Sequence, residues 1–208
     1  MTSPLDPAGP ELAMVDPAPP EKQLLRPGDF LLCRAHGINH DLLRIGQGLR
    51  LGRTQRHMAR YTHAALFVSA SGDLIEAVGT GVRRNHLRNY AQHGRAYQIV
   101  HITASDEDRR QMVAFAEAAL ARRAPYGFLS NISTTLWAFT GSSLIFFRDG
   151  SFTCSGLVAA ALERTSAQFA TNATRVMPAQ LAVLFGAPTP PLDPPRRLAA
   201  LRPFSRRP

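Results

Sequence analysis

Two cysteines could carry chemistry in this chain, and their surroundings differ. Cys33 ends the apolar run Phe30-Leu31-Leu32-Cys33. Cys154 sits in Phe152-Thr153-Cys154-Ser155-Gly156-Leu157-Val158, where small polar residues give way to an apolar series. That change of character predicts a helix beginning at or near Cys154. Backbone N–H groups at a helix start, and the positive end of its dipole, favour an anion, so a thiol placed there is stabilised as its thiolate. Small neighbours leave the sulfur open to substrate, and an adjacent imidazolium would lower its pKa further. The backbone N–H of Cys154 could then hold the oxyanion of a tetrahedral intermediate. The competing reading is a small buried apolar residue, which is what most free cysteines are.

The elements that must position this thiol are readable from turn chemistry and periodicity. Arg26-Pro27-Gly28-Asp29 is a turn leading into a first strand, Phe30 to Cys33. Leu42, Leu43, Ile45 and Leu49, at nearly helical spacing, predict a short helix followed by a loop. Tyr61 to Val68 and Leu74 to Val78 are two apolar runs joined by Ser-Gly-Asp chemistry, which predicts a hairpin that ends at Gly79-Thr80-Gly81. Tyr97 to Ile102 predicts a further strand of the same sheet. Ser105 caps a helix, with Asp108 three residues on and an apolar stripe through Met112, Val113, Phe115, Ala116, Ala119 and Leu120; Pro125 is expected to end it. A last helix starts at Pro178 and stops at Gly186.

Composition bounds the foldable part. Of the 16 prolines, 14 lie before residue 28 or after residue 187, in stretches without apolar periodicity where proline denies the backbone its hydrogen bonds. Residues 1–25 are therefore expected to be a Pro-rich tail, 26–186 one α+β domain and 187–208 a flexible Pro/Arg-rich tail. A domain of about 160 residues buries roughly 70% of its unfolded surface, enough for a core and a pocket. The formal charge is +9 and is carried by arginine, since Lys22 is the only lysine. The arginines from Arg196 to Arg207 could touch an anionic membrane, a solvated tail being the plainer reading. Two isolated cysteines give no disulfide framework. Proline and acid stand where a secretion signal needs a basic start, so a cytoplasmic product is expected. Residues 127–147 carry no charge and are long enough to span a bilayer. Eight polar residues and Gly141 interrupt them, however, and two short buried helices are expected there instead.

Cys154-Ser155-Gly156-Leu157-Val158 resembles the nucleophile motif of the NlpC-type cell-wall peptidases, in which Cys-Ser-Gly opens the central helix of a papain-like fold. Pro27-Gly28-Asp29 before a strand and His63 at the start of the next also match that family's pattern. The order differs: here Gly-Asp and His come first and the cysteine last, as in the circularly permuted YiiX/YaeF-like papain-fold proteins and, more remotely, the lecithin:retinol acyltransferase group. Further pieces in order are Ile75-Glu76-Ala77, Gly81-Val82, Tyr126 and Pro178-Ala179-Gln180-Leu181. The resemblance runs from about Arg26 to Leu184. It implies a permuted papain-like fold, a small antiparallel sheet against a helical layer, with Cys154 as nucleophile and His63 as its base. Thr153 stands where an aspartate often precedes the cysteine, and Gly127 follows Tyr126 where an acid is frequent.

Family analogy and strand geometry both point to Glu76 as the third member. Side chains alternate along strands, so His63 and Glu76 share a face in a register with Ala65 opposite Glu76. That register sets them diagonally within reach of a long side chain. The alternative is a solvent-facing glutamate near a turn. Tyr61 and Tyr126 are candidate pocket residues, Tyr126 by resemblance, with core packing the alternative for either. Cys33, His36 and His40 have a spacing that suggests zinc, but no second cluster supplies the remaining ligand, and neither metal nor cofactor is expected. His57, His86, His93 and His101 are expected to be surface or structural.

Three functions compete. The first is a cysteine hydrolase acting on a peptide, amide or ester through an acyl-Cys154 intermediate, with no cofactor. The second keeps the intermediate and passes the acyl group on, as a lipid-directed acyltransferase or phospholipase would. The third is a non-catalytic ligand-binding module. Specific nucleic-acid binding has only net charge in its favour.

Overall fold

Residues 24–35, 38–92, 96–125, 151–165, 173 and 176–190 are described by a computed structural model, and they form an α+β arrangement. In chain order the elements are β1 (Phe30–Cys33), α1 (Ile38–Arg50), a 3-10 helix (Arg53–Arg60), β2 (His63–Phe67), β3 (Asp73–Val78), β4 (Gly81–His86), α2 (Leu87–Gln92), β5 (Tyr97–Val100), α3 (Asp106–Ala121), α4 (Cys154–Leu162) and α5 (Pro178–Leu184). The strands make one sheet in the order β4-β3-β2-β1-β5, each pair antiparallel.

Both faces of the sheet are covered, which is why β1, an interior strand between β2 and β5, is apolar without alternation. On one face Phe30, Leu32, Ala64, Leu66, Ile75 and Ala77 pack against Met112 and Ala116 of α3 and Leu157, Val158 and Ala161 of α4. On the other, Leu31, Cys33, Ala65, Phe67 and Leu74 form a thinner cluster with Tyr90 of α2. Burying a large aliphatic side chain contributes about 1.5–3 kcal/mol. The first layer is therefore what holds α4, and with it Cys154, against the sheet.

The Pro-Gly-Asp turn ties this layer together. Gly28 has φ +92°, and a Cβ there would lie 3.3 Å from Arg109 Cγ, so the position requires glycine. Asp29 is buried and accepts from Arg109 Nη1 at 2.9 Å, His101 Nδ1 at 2.7 Å and the Ile102 N–H at 3.3 Å. One carboxylate thus joins the start of β1 to the end of β5 and to α3. The helix expected from Ser105 is present with its capping box, Ser105 Oγ accepting from the Asp108 N–H at 3.1 Å.

One strand is added to those expected and three expectations change. After the hairpin ends at Gly79-Thr80, β4 extends the sheet through Arg83, Arg84, Asn85 and His86. An edge strand can expose its polar residues, so no apolar pattern marks it. α3 ends at Ala121, before Pro125, with Arg123 at φ 50° beyond it. In α1 only Leu43 of the four apolar residues is buried, while Leu42, Ile45 and Leu49 face outward. Finally, the fold extends past residue 186: the Ala187 N–H donates to Ala182 O, and Pro188 O accepts from Tyr61 Oη. Residues 127–147 lie outside the described residues. Among the described residues no helix is long and apolar enough to cross a membrane.

Candidate active site

His63 opens β2 at the end of a segment fixed from several sides. The buried Gln47 of α1 donates through Nε2 to Ala59 O at 3.2 Å and Tyr61 O at 3.1 Å, and its Oε1 accepts from the Ala179 N–H at 2.9 Å. Thr62 Oγ1 accepts from the Ala35 N–H at 3.0 Å, and the Thr62 N–H donates to Cys33 O at 3.0 Å. The backbone leading into His63 therefore has little freedom.

β2 pairs with β3 through Leu66 opposite Ile75 and Phe67 opposite Leu74. Continued by one residue, this register sets Ala65 opposite Glu76, the arrangement expected from the sequence. His63 and Glu76 consequently share a face, and His63 Nε2 donates to Glu76 Oε2 at 2.8 Å, both side chains being buried. The other carboxylate oxygen, Oε1, accepts from Arg83 Nε at 2.9 Å, Arg83 Nη2 at 2.7 Å and Asn85 Nδ2 at 2.8 Å. Tyr90 Oη donates to Oε2, and its ring lies 6.4 Å from the His63 ring at an interplanar angle of 23°. Glu76 is thus not a solvent-facing residue near a turn.

Cys154 is the first residue of α4. Thr153 caps this helix, its Oγ1 accepting from the Gly156 N–H at 3.1 Å. Ser155 Oγ donates to Val176 O at 2.6 Å, which anchors the first turn. Beyond Leu66 the pairing of β2 with β3 stops while that of β2 with β1 continues to His63. At this open end of β2, Cys154 Sγ lies 4.0 Å from Thr62 O. His40 Nδ1 of α1 donates to the same carbonyl at 3.3 Å.

The charges reinforce one another. Burial works against a charged His63, but hydrogen bonding and attraction from Cys154, and then from Glu76, outweigh it and raise the imidazolium pKa from 6.5 to about 9. Burial also opposes a charged Glu76, yet His63, Tyr90 and Arg83 hold its carboxyl well below the usual carboxylate range. For Cys154 burial pushes the thiol up; the bond and charge of His63, with the backbone N–H groups of Ala64 and Ser155, bring it below the ordinary thiol value. Since Nε2 of His63 is engaged by Glu76, Nδ1 is the nitrogen left for the thiol.

The three residues selected by sequence are therefore brought to one place, and among the other described candidates Tyr61 is not part of it. Tyr61 is a core residue: it is buried, its hydroxyl is given to Pro188 O, and burial lifts its pKa to about 12. It does not line an open pocket, because the layer over β2 closes on it. Tyr126, His36 and His93 lie outside the described residues. Cys33 is buried in β1 opposite His63. His101 is structural, through Asp29. Among the described residues no group of three His, Cys, Asp or Glu is placed to hold a metal ion. Sequence reasoning missed Arg83, Asn85 and Tyr90; the one available signal was the pair of polar residues two apart, 83 and 85, just after the turn that follows Glu76. Comparison with protein-family models and with curated proteins gives no match.

Proposed function

We propose that this chain is a cysteine hydrolase of permuted papain-like fold, cleaving an amide or ester through an acyl-Cys154 intermediate. The observation that carries this reading is the buried His63 ring, bonded through Nε2 to Glu76 at 2.8 Å and interacting with Cys154, a thiol at a helix N-terminus. The order of the parts supports the permuted fold: the antiparallel strands bearing His63 and Glu76 precede the helix bearing Cys154 and pack under it.

In the resting state Cys154 is the thiolate and His63 the imidazolium. The sulfur attacks the substrate carbonyl carbon, and the backbone N–H of Cys154 faces the developing oxyanion. Collapse of the tetrahedral intermediate breaks the bond to the leaving amine or alcohol, which takes the proton from His63 and leaves a thioester. Neutral His63 next removes a proton from water, hydroxide attacks the thioester, and the acid departs as the thiolate and imidazolium re-form. Glu76, unprotonated throughout, keeps the ring in the tautomer and orientation both steps need.

Trapping tests the reading. Cys154→Ser and the slow-turnover variant His63→Ala, purified from cells and weighed intact, are expected to carry an acyl fragment on residue 154 that Cys154→Ala lacks. Its absence from both variants, after incubation with wall-type peptides and with phospholipid vesicles, would count against an acyl-enzyme.

A further inference from the structure

Glu76 receives more donors than a simple counter-charge requires. An ionised carboxylate offers about four lone-pair sites. Here Oε1 takes two N–H groups of Arg83 and one of Asn85, while Oε2 is shared between His63 Nε2 and Tyr90 Oη. All three additional partners come from one unit, β4 and the helix that follows it. Arg83 stands opposite Glu76 in the β3–β4 ladder and Asn85 opposite Leu74, so their side chains fall on the face that carries Glu76. The Leu87 N–H, donating to Gly72 O at 2.9 Å, fastens the start of α2 to the preceding hairpin, and α2 then delivers the buried Tyr90 beside the His63 ring.

This geometry points to a role that rests on the thiol-hydrolase reading: we propose that Arg83, Asn85 and Tyr90 are positioning residues that lock the Glu76 carboxylate and, through its shared Oε2, fix the His63 ring against Cys154. A glutamate side chain has three rotatable bonds, and one bond to His63 would leave the ring free to follow the carboxylate. Locking Oε1 removes that freedom, and the Tyr90 hydroxyl sets from which side of Oε2 the imidazole must approach. Arg83 also balances the charge of Glu76, so that the thiolate and imidazolium form the second of two adjacent opposite pairs. The unit that sequence patterning passes over is, on this account, what turns a histidine near a cysteine into an oriented one.

The test reads the ionisation of Cys154 directly. Thiolate ultraviolet absorbance is followed against pH for each full-length protein, minus the same protein carrying Cys154→Ser, so that Cys33 cancels. His63→Ala is expected to lower the Cys154 ionisation constant more than about tenfold, which is one pKa unit. Tyr90→Phe, which keeps the ring, and Arg83→Gln, at a half-exposed position, should each lower it by about three- to tenfold, from loss of a bond to a charged group. In a His63→Ala background Tyr90→Phe should produce no further change, because its effect passes through His63. Wild-type titration in both single variants, or an equal shift from Tyr90→Phe in the two backgrounds, would overturn the positioning role. A His63→Ala protein that titrates like wild type would instead remove the cysteine–histidine reading on which it stands. Should Tyr90→Phe fail to fold, Arg83→Gln alone decides, its wild-type titration sinking the proposal.

Discussion

Two buried carboxylates in this protein are built alike and used differently. Asp29 and Glu76 each bond an arginine and a histidine across the fold. At Asp29 the arginine is the inner partner, the Arg109 side chain being 6% exposed and that of His101 30%. At Glu76 the order is reversed: the His63 side chain is 7% exposed and that of Arg83 55%. A buried guanidinium, always charged and rich in donors, serves to pin segments, and Arg109 also donates to Pro27 O and Ile102 O. A buried imidazole keeps a second nitrogen, and His63 interacts with the Cys154 thiol as well as with Glu76. The carboxylate–histidine pair therefore does not by itself distinguish the two sites; the neighbouring thiol does.

The largest expected difference is in stability. Arg109→Ala leaves Asp29 as a buried charge short of its main partner, and such losses cost about 3–5 kcal/mol. Arg83→Ala leaves Glu76 with His63, Asn85 and Tyr90, and its exposed pair is worth only about 0–1 kcal/mol. Urea unfolding of the two variants measures both. Equal losses would mean that Glu76 is as structural as Asp29 and would erase the contrast.

Next comes thiol reactivity, where the two histidines should separate. A thiol of ordinary pKa is about 0.3% ionised at pH 6, and the higher intrinsic nucleophilicity of such a thiolate offsets part of that loss. His63→Ala should therefore slow alkylation of Cys154 at pH 6 by about 10- to 100-fold, and His101→Ala should leave it unchanged, as read by mass spectrometry of the Cys154 peptide. The His63 pKa is raised by folding, so its contribution to stability is complete below the unfolded value near 6.5 and is lost as pH climbs through about 9. The stability gap between wild type and His63→Ala should accordingly narrow between those limits. A gap that widens across the same range would have the wrong sign for an imidazolium held by Cys154 and Glu76.

Much of this contrast is legible in the residues, and its limits are physical. β1, the β2–β3 hairpin, the register that brings His63 to Glu76, the Ser105 helix and the helix start at Cys154 all follow from apolar runs interrupted by turn or cap residues. Those signals depend on burial of one face. β4 gives no such signal, because as an edge strand it spends Arg83, Asn85 and His86 on polar contacts, so the three additional partners of Glu76 were out of reach. α1 misleads for the opposite reason: its spacing is helical, but Gln47 rather than leucine makes the inward contacts, and three apolar residues face outward. Tyr61 could not be divided between pocket and core without knowing that Pro188 lies over its hydroxyl.

The smallest effect separates two helix caps. Ser105 caps α3, whose Arg109 serves Asp29, and Thr153 caps α4, which begins with Cys154. Replacing either by alanine removes one acceptor from an otherwise unpaired N–H and should cost about 1 kcal/mol in unfolding free energy. The helix released by Thr153→Ala, however, is the one whose first turn carries Cys154, the Ser155 N–H being among the groups that lower its pKa. Fraying of that turn weakens both the N–H contacts and the dipole, within the short range over which either acts. Thr153→Ala should therefore slow alkylation at pH 6 as well as destabilise, whereas Ser105→Ala should destabilise and leave the rate alone. Equal stability losses with unequal rates would locate reactivity in the first turn of α4, and equal rates would assign the lowered thiol pKa to His63 alone.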